Sequence, residues 1–197
     1  MTLHSLFALL EAATLACLIQ GAPALAGPAS SFTQATSRGT VVARKSCTDR
    51  LGNGEVVLVE EREREHACGG SEPCHDKYIH AYRFANGKQI WQINDLVEEC
   101  DYSLVLDFIA QALHITDLDG NGLNEIWVVY KIDCINDIGP QGMKLIMYEG
   151  RKKHAIRGDD GDGRSGGAFN MDTAFREGPE SFRRYARTLW MECAKRN

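Results

Sequence analysis

From residue 55 to residue 156 the chain is a succession of short apolar, β-branched and aromatic runs separated by Gly, Asn or Asp. The runs are 55–61 (EVVLVEE), 78–84 (YIHAYRF), 88–93 (KQIWQI), 103–109 (SLVLDFI), 112–116 (ALHIT), 125–131 (EIWVVYK) and 143–148 (MKLIMY), with 153–156 (KHAI) weaker. Such runs have strand character, and Asn86-Gly87 between two of them is a hairpin signal. In run 78–84, Ile79, Ala81 and Phe84 oppose His80, Tyr82 and Arg83, with one slip in the alternation. Residues 60–66 (EEREREH) alternate in charge and read as a solvated edge strand or strand extension.

The C-terminal segment changes period. Phe182, Tyr185, Ala186, Leu189, Trp190 and Cys193 recur at helical spacing, so 179–195 is expected to be an amphipathic helix packed on the sheet. The expected fold is therefore mainly β (α+β). It is a single antiparallel β domain over 40–197, with partial propeller-like or sandwich-like sheet packing, closed by this helix. With 44% hydrophobic and 25% charged residues, the chain suits a globular core. A net charge of −5 argues against a nucleic-acid partner, which requires a basic surface.

The N-terminus reads as an export signal over 1–26. Residues 12–19 (AATLACLI) are uninterruptedly apolar, and Ala24-Leu25-Ala26 offers a small-x-small cleavage site before Gly27. The run is shorter than the roughly 20 residues of a membrane span, and no later segment approaches that length. Thr14-Leu15-Ala16 before Cys17 match a lipobox poorly, so a lipid anchor is not expected. Residues 27–39, small and polar, read as a flexible leader. The mature product is expected in the periplasm or outside the cell.

Six cysteines remain beyond the signal: Cys47, Cys68, Cys74, Cys100, Cys134 and Cys193. All six are disulfide candidates in an exported chain. Cys68 and Cys74 form the most credible local pair, because Gly69, Gly70 and Pro73 let the loop close. A zinc site from Cys68, Cys74 and His75 fits no standard spacing and is not expected.

Residues 117–125 carry the chemistry. They read Asp-Leu-Asp-Gly-Asn-Gly-Leu-Asn-Glu, with the skeleton D-x-D-x-N-G-x-x-E. Oxygen side chains at alternate positions of a tight loop can converge on one hard cation, and Gly122 permits the turn. Asp117, Asp119 and Asn121 are the expected side-chain ligands, Leu123 a carbonyl ligand and Glu125 the closing carboxylate. An oxygen-only set selects Ca²⁺ over zinc or copper. The competing reading is a turn in which the acids cap backbone N–H groups. A second acidic stretch, 158–164, places Asp160 and Asp162 at alternate positions, but Arg164 stands where a third ligand would fall. It reads as a flexible surface loop.

In an EF-hand the closing acid is twelfth; here it is ninth, and an apolar strand starts at once. This shorter loop resembles those of FG-GAP and VCBS-type propeller repeats, in a single copy. Downstream come a cysteine, MKLIMYEGRKKHAIRG, the Asp/Gly-rich stretch, Phe175 and PESFRRYARTLW. Over residues 75–193 this order resembles small exported bacterial proteins labelled as surface polysaccharide biosynthesis proteins. The resemblance implies an envelope-associated protein with a calcium-type loop and supplies no catalytic residues.

Glycan hydrolysis would need a carboxylate pair or an activated nucleophile. Glu98, Glu99, Asp101, Asp107, Asp133 and Asp137 form no recognisable arrangement, and G-x-S-x-G, H-E-x-x-H and P-loop motifs are absent. His80, His114 and His154 read as ordinary strand residues. The expectation is an exported, calcium-binding, non-catalytic envelope protein supporting surface polysaccharide assembly or display, with an envelope protein or glycan as partner. The alternative is a periplasmic inhibitor or immunity protein that plugs a cell-wall lytic enzyme with a loop such as 159–167. A glycan-active enzyme ranks third.

Overall fold

The structure is a computed structural model that describes residues 31–136, 138–162 and 166–195. The expected export signal, the start of the leader, Asp137 and Arg164 lie outside the described residues.

The elements follow in order as α1 (Ser31–Thr36), β1 (Thr40–Asp49), β2 (Gly52–Glu60), β3 (Arg64–His66), β4 (Cys74–Ala85) and β5 (Lys88–Cys100). Then come β6 (Ser103–Phe108), a 3₁₀ turn (Ala110–Ala112), β7 (His114–Thr116), β8 (Glu125–Ile135), β9 (Gly142–Glu149) and β10 (Lys152–Asp159). The chain closes with β11 (Phe169–Met171), α2 (Thr173–Glu177) and α3 (Glu180–Ala194). All strand pairs are antiparallel.

Two sheets form. In the first, β4 is central, with β5 on one side and β2 and β3 end to end on the other; β1 lies outside β2. In the second the order is β11-β10-β9-β8, and β6 and β7 share the far edge of β8. Neither closes into a barrel, so the packing is that of a sandwich.

Alternation assigns the layers. Val56, Leu58, Ile79 and Ala81 of the first sheet meet Leu106, Ile126, Val128 and Tyr130 of the second in the inter-sheet core. On the other face of the second sheet, Trp127, Val129, Leu145 and Met147 pack under Phe182, Ala186, Leu189 and Trp190 of α3. On the outer face of the first sheet, Val57, Val59, Tyr82 and Phe84 cluster with Ala35 of α1. The face read for 179–195 is thus the buried face of α3. Asn86 and Gly87 turn β4 into β5 with φ of 49° and 73°, as a type I′ hairpin requires.

Several expectations need correction. Part of the segment read as a flexible leader is helical, because Ala35 has an apolar surface to cover. β1 is a strand beyond the expected runs, because TVVARKSCTD breaks its apolar run with Arg44 and Lys45. The slip in 78–84 does not exist. His80, Tyr82 and Phe84 share one face, and Arg83 falls on the inter-sheet side with Ile79 and Ala81, 1% exposed. Cys68–Cys74 and Cys100–Cys134 form disulfides with Cα separations of 5.7 and 5.6 Å. No disulfide joins Cys47 to Cys193, since Cys47 lies in the inter-sheet core and Cys193 beneath α3, in separate clusters. The expectation of six disulfide candidates therefore resolves to four.

His154 is fully buried under the α2–α3 junction, with the Phe175 and Phe182 rings at 5.0 and 5.8 Å. Burial, and secondarily Lys152, hold the imidazole below its ordinary pKa of 6.5; Asp172 opposes this. The unfolded chain therefore takes up this proton at higher pH than the folded one. The stabilisation from a neutral His154 is complete above about pH 6.5 and is lost as pH falls. In thermal melts from about pH 8 down to pH 5, His154→Leu is expected to show a shallower acid decline in Tm than the parent protein.

Candidate metal centre

The loop between β7 and β8 holds the residues read as ligands. Gly120 and Gly122 have φ of 71° and 77°, values that disfavour other residues. A Cβ on Gly122 would also meet Arg50 Cδ at 3.1 Å. Asp117 Oδ2 accepts from the Gly122 amide at 3.1 Å, and Asn121 Oδ1 accepts from the Leu123 amide at 2.7 Å. Asp119 accepts from the Asn121 amide at 3.2 Å and from its side-chain nitrogen at 3.0 Å. These are the turn-type contacts of the competing reading, so they do not by themselves indicate a cation.

Glu125 differs. It is the first residue of β8 and is fully buried. One oxygen accepts from Thr116 Oγ1 at 2.6 Å and from the Leu118 amide at 2.9 Å. The other, Oε1, is buried with no hydrogen-bond partner. Carboxylate oxygens of Asp117, Asp119 and Glu125 lie within 4.8 Å of one another, the one such cluster of three among the described residues. Burial pushes the Glu125 carboxyl up from the usual range; its two hydrogen bonds oppose this, and Asp119 and Asp117 reinforce it. A buried carboxylate oxygen without a donor is costly, and a cation among these oxygens would satisfy it. The donor set is hard oxygen throughout and fits Ca²⁺.

Of the expected ligands, the structure brings Asp117, Asp119 and Glu125 together. Asn121 sits among them through its hydrogen bonds, and Leu123 faces the β9–β10 turn, its side chain 3.6 Å from a Cβ placed on Gly150. The second acidic stretch is anchored rather than flexible at Asp160. This residue is 1% exposed, pairs with Lys131 Nζ at 2.8 Å and accepts from the Gln141 amide at 2.8 Å. Cys68 and Cys74 are spent on each other, and His75 pairs with Glu63 at 2.7 Å.

Sequence reasoning missed the surroundings of the loop. Arg50 donates its amide to the Gly122 carbonyl at 2.9 Å. Asn124 donates Nδ2 to the Thr48 carbonyl at 3.1 Å and its amide to Asp49 Oδ2 at 3.4 Å. Asp49 in turn pairs with Arg83 Nη2 at 3.4 Å, and both side chains are buried. The β1–β2 turn therefore latches the loop of the second sheet to the first. Strict alternation through Arg83, without the slip, places it on the inter-sheet face where this pair forms. On the other side, Trp127 Nε1 donates to Thr116 Oγ1 at 2.8 Å, which links Glu125 to the aromatic layer under α3.

Comparison with protein-family models, with curated proteins and with solved structures finds no match for the chain.

Removing the carboxylate of the latch leaves the Arg83 charge buried and unpaired. Asp49→Ala is expected to lower unfolding free energy by about 3–5 kcal/mol in urea titrations. A loss under about 1 kcal/mol would show that the pair holds nothing in place.

Proposed function

We propose that the protein is an exported, non-catalytic cell-envelope protein that supports surface polysaccharide assembly or display, and that residues 117–125 hold a structural Ca²⁺. The observation that carries the calcium reading is the buried, unpartnered Oε1 of Glu125, a residue whose carboxylate converges with those of Asp117 and Asp119. The loop joins the two sheets through the β1–β2 turn, so a cation there would rigidify the sandwich rather than serve a reaction.

Two disulfides suit an oxidising compartment. Among the described residues no helix is long and apolar enough to cross a membrane. The envelope role itself rests on the resemblance over residues 75–193. The inhibitor reading draws on one feature, a fully exposed Ile138 beside an open depression lined by Val105, Ile135 and Gln141. An apolar tip of that kind suits insertion into a partner's cleft and needs no metal.

Thermal unfolding of the oxidised protein in calcium and in excess EDTA tests the proposal. Free Ca²⁺ at 100 times Kd adds about 2.7 kcal/mol, a rise in Tm of roughly 5–10 °C for a domain of this size. Asp119→Ala, an exposed substitution, is expected to abolish the rise while leaving the melt in EDTA nearly unchanged. No shift at millimolar calcium reduces the loop to a turn and moves the inhibitor reading ahead.

A further inference from the structure

We infer that the outer face of α3 is a binding groove for an anionic glycan, gripped by Arg184 and Arg187; the class of ligand rests on the polysaccharide reading above, the groove on the helix alone.

Helical spacing brings the groups together. Ser181, Arg184 and Thr188 recur at i, i+3 and i+7 of α3, and Arg187 follows Arg184 by one turn. Two open depressions lie along this face. One is lined by Arg184, Arg187 and Thr188, the other by Ser181, Tyr185 and Leu118 of the β7–β8 loop. Arg184 and Thr188 border both, so the two are halves of one groove.

The charge of this face is opposite to that of the chain. Against a net charge of −5, residues 180–195 carry Arg183, Arg184, Arg187 and Lys195 with Glu180 and Glu192, a net of +2. Arg183 is spent on the carbonyls of Phe175, Arg176 and Gly178. Arg184 and Arg187, both exposed, have no ion pair and no side-chain hydrogen bond among the described residues. Glu180 borders the groove and pairs with neither. Like charges one turn apart repel, and an anion lying over both relieves that repulsion.

The rest of the lining sets the chemistry of the ligand. A guanidinium fork takes a carboxylate through two parallel hydrogen bonds. The Ser181 and Thr188 hydroxyls both donate and accept, as the hydroxyls of a sugar do. Leu118 and Tyr185 are half-buried at the margin of the layer under α3, and Tyr185 is held by its 2.7 Å bond to His114. They form a fixed apolar wall suited to the carbon face of a pyranose ring. Carboxylates, hydroxyls and apolar ring faces occur together along a chain of uronic acids, and an open groove admits such a chain without needing its end.

Calorimetric titration of the full oxidised protein in EDTA keeps the groove separate from the metal loop. Three probes are compared at low salt: an oligogalacturonate, a neutral maltooligosaccharide of equal length and an oligoglutamate of equal charge. The oligogalacturonate is expected to bind, the oligoglutamate at least tenfold more weakly and the maltooligosaccharide not at all. Arg184→Gln with Arg187→Gln is expected to weaken the oligogalacturonate at least tenfold, and Arg184→Lys, which keeps the charge and loses the fork, to fall between that and the parent. Lys152→Gln with Arg157→Gln removes the same charge from exposed positions of β10 and is expected to stay within twofold. Melts confirm that each variant folds. Parent-like affinity in the Arg184 and Arg187 double variant, or an equal loss in the β10 variant, overturns the inference. Equal binding of the oligoglutamate overturns it too and removes this support from the polysaccharide reading, whereas equal binding of the maltooligosaccharide overturns it and leaves that reading standing. Binding of no probe removes the groove and leaves the calcium loop to its own melts.

Discussion

The sandwich depends on β8 being buried on both faces at once. Ile126, Val128 and Tyr130 face the first sheet, while Trp127 and Val129 face α3. A strand so placed must be apolar at consecutive positions, and IWVVY supplies this without a polar residue. Each fully buried side chain of this size contributes about 1.5–3 kcal/mol, so this strand anchors both hydrophobic layers. The charged residues of β8 consequently lie toward its two ends, Glu125 at the start and Lys131 and Asp133 toward the close.

Both ends are fastened, by different means. At the C-terminal end Cys134 is joined to Cys100 of the first sheet, a covalent staple between the two layers. At the N-terminal end the fastening is polar, from Glu125 through the 117–124 loop to Arg50 and to the buried Asp49–Arg83 pair. Nine residue steps along β8, from Glu125 to Cys134, separate the two, about 30 Å of strand. Further polar links cross between the layers along the strands. Asp95 of β5 accepts from Tyr130 at 2.8 Å and from Lys144 at 2.6 Å, and Glu60 accepts the Phe108 amide at 2.8 Å. Burial and the Asp95 carboxylate push the Tyr130 phenol far above its ordinary value, so it remains a hydrogen-bond donor at any physiological pH.

How much of this was legible depended on the range over which each signal acts. Local signals served well: strand runs, the Asn86-Gly87 turn, the face of α3, and Asp117, Asp119 and Glu125 within one nine-residue motif. Pairing across the sheets was not legible. Asn124 reaches Thr48 and Asp49 only because the two sheets stack, and nothing near it in the sequence marks that contact. The slip assumed in 78–84 sets Arg83 on the wrong face, whereas Asp49, distant in sequence, supplies its partner inside the protein. The disulfides show the same limit, since the loop glycines identified Cys68 and Cys74 but only the stacking of the sheets brings Cys100 to Cys134.

These contacts also decide what a cation at the loop could influence. Thr116 stands between Glu125 and Trp127, accepting from the indole and donating to the carboxylate. Trp127 is fully buried and packs on Phe175 and Tyr185, with ring centroids 6.2 and 4.8 Å away. Tyr185 in turn bonds His114 at 2.7 Å, and His114 is the register partner of Trp127. A change of charge at Glu125 therefore meets packed aromatic rings within two hydrogen bonds, while on the other side it meets the latch to the first sheet. A cation at the β8 end that lacks a disulfide would complement the covalent staple at the other.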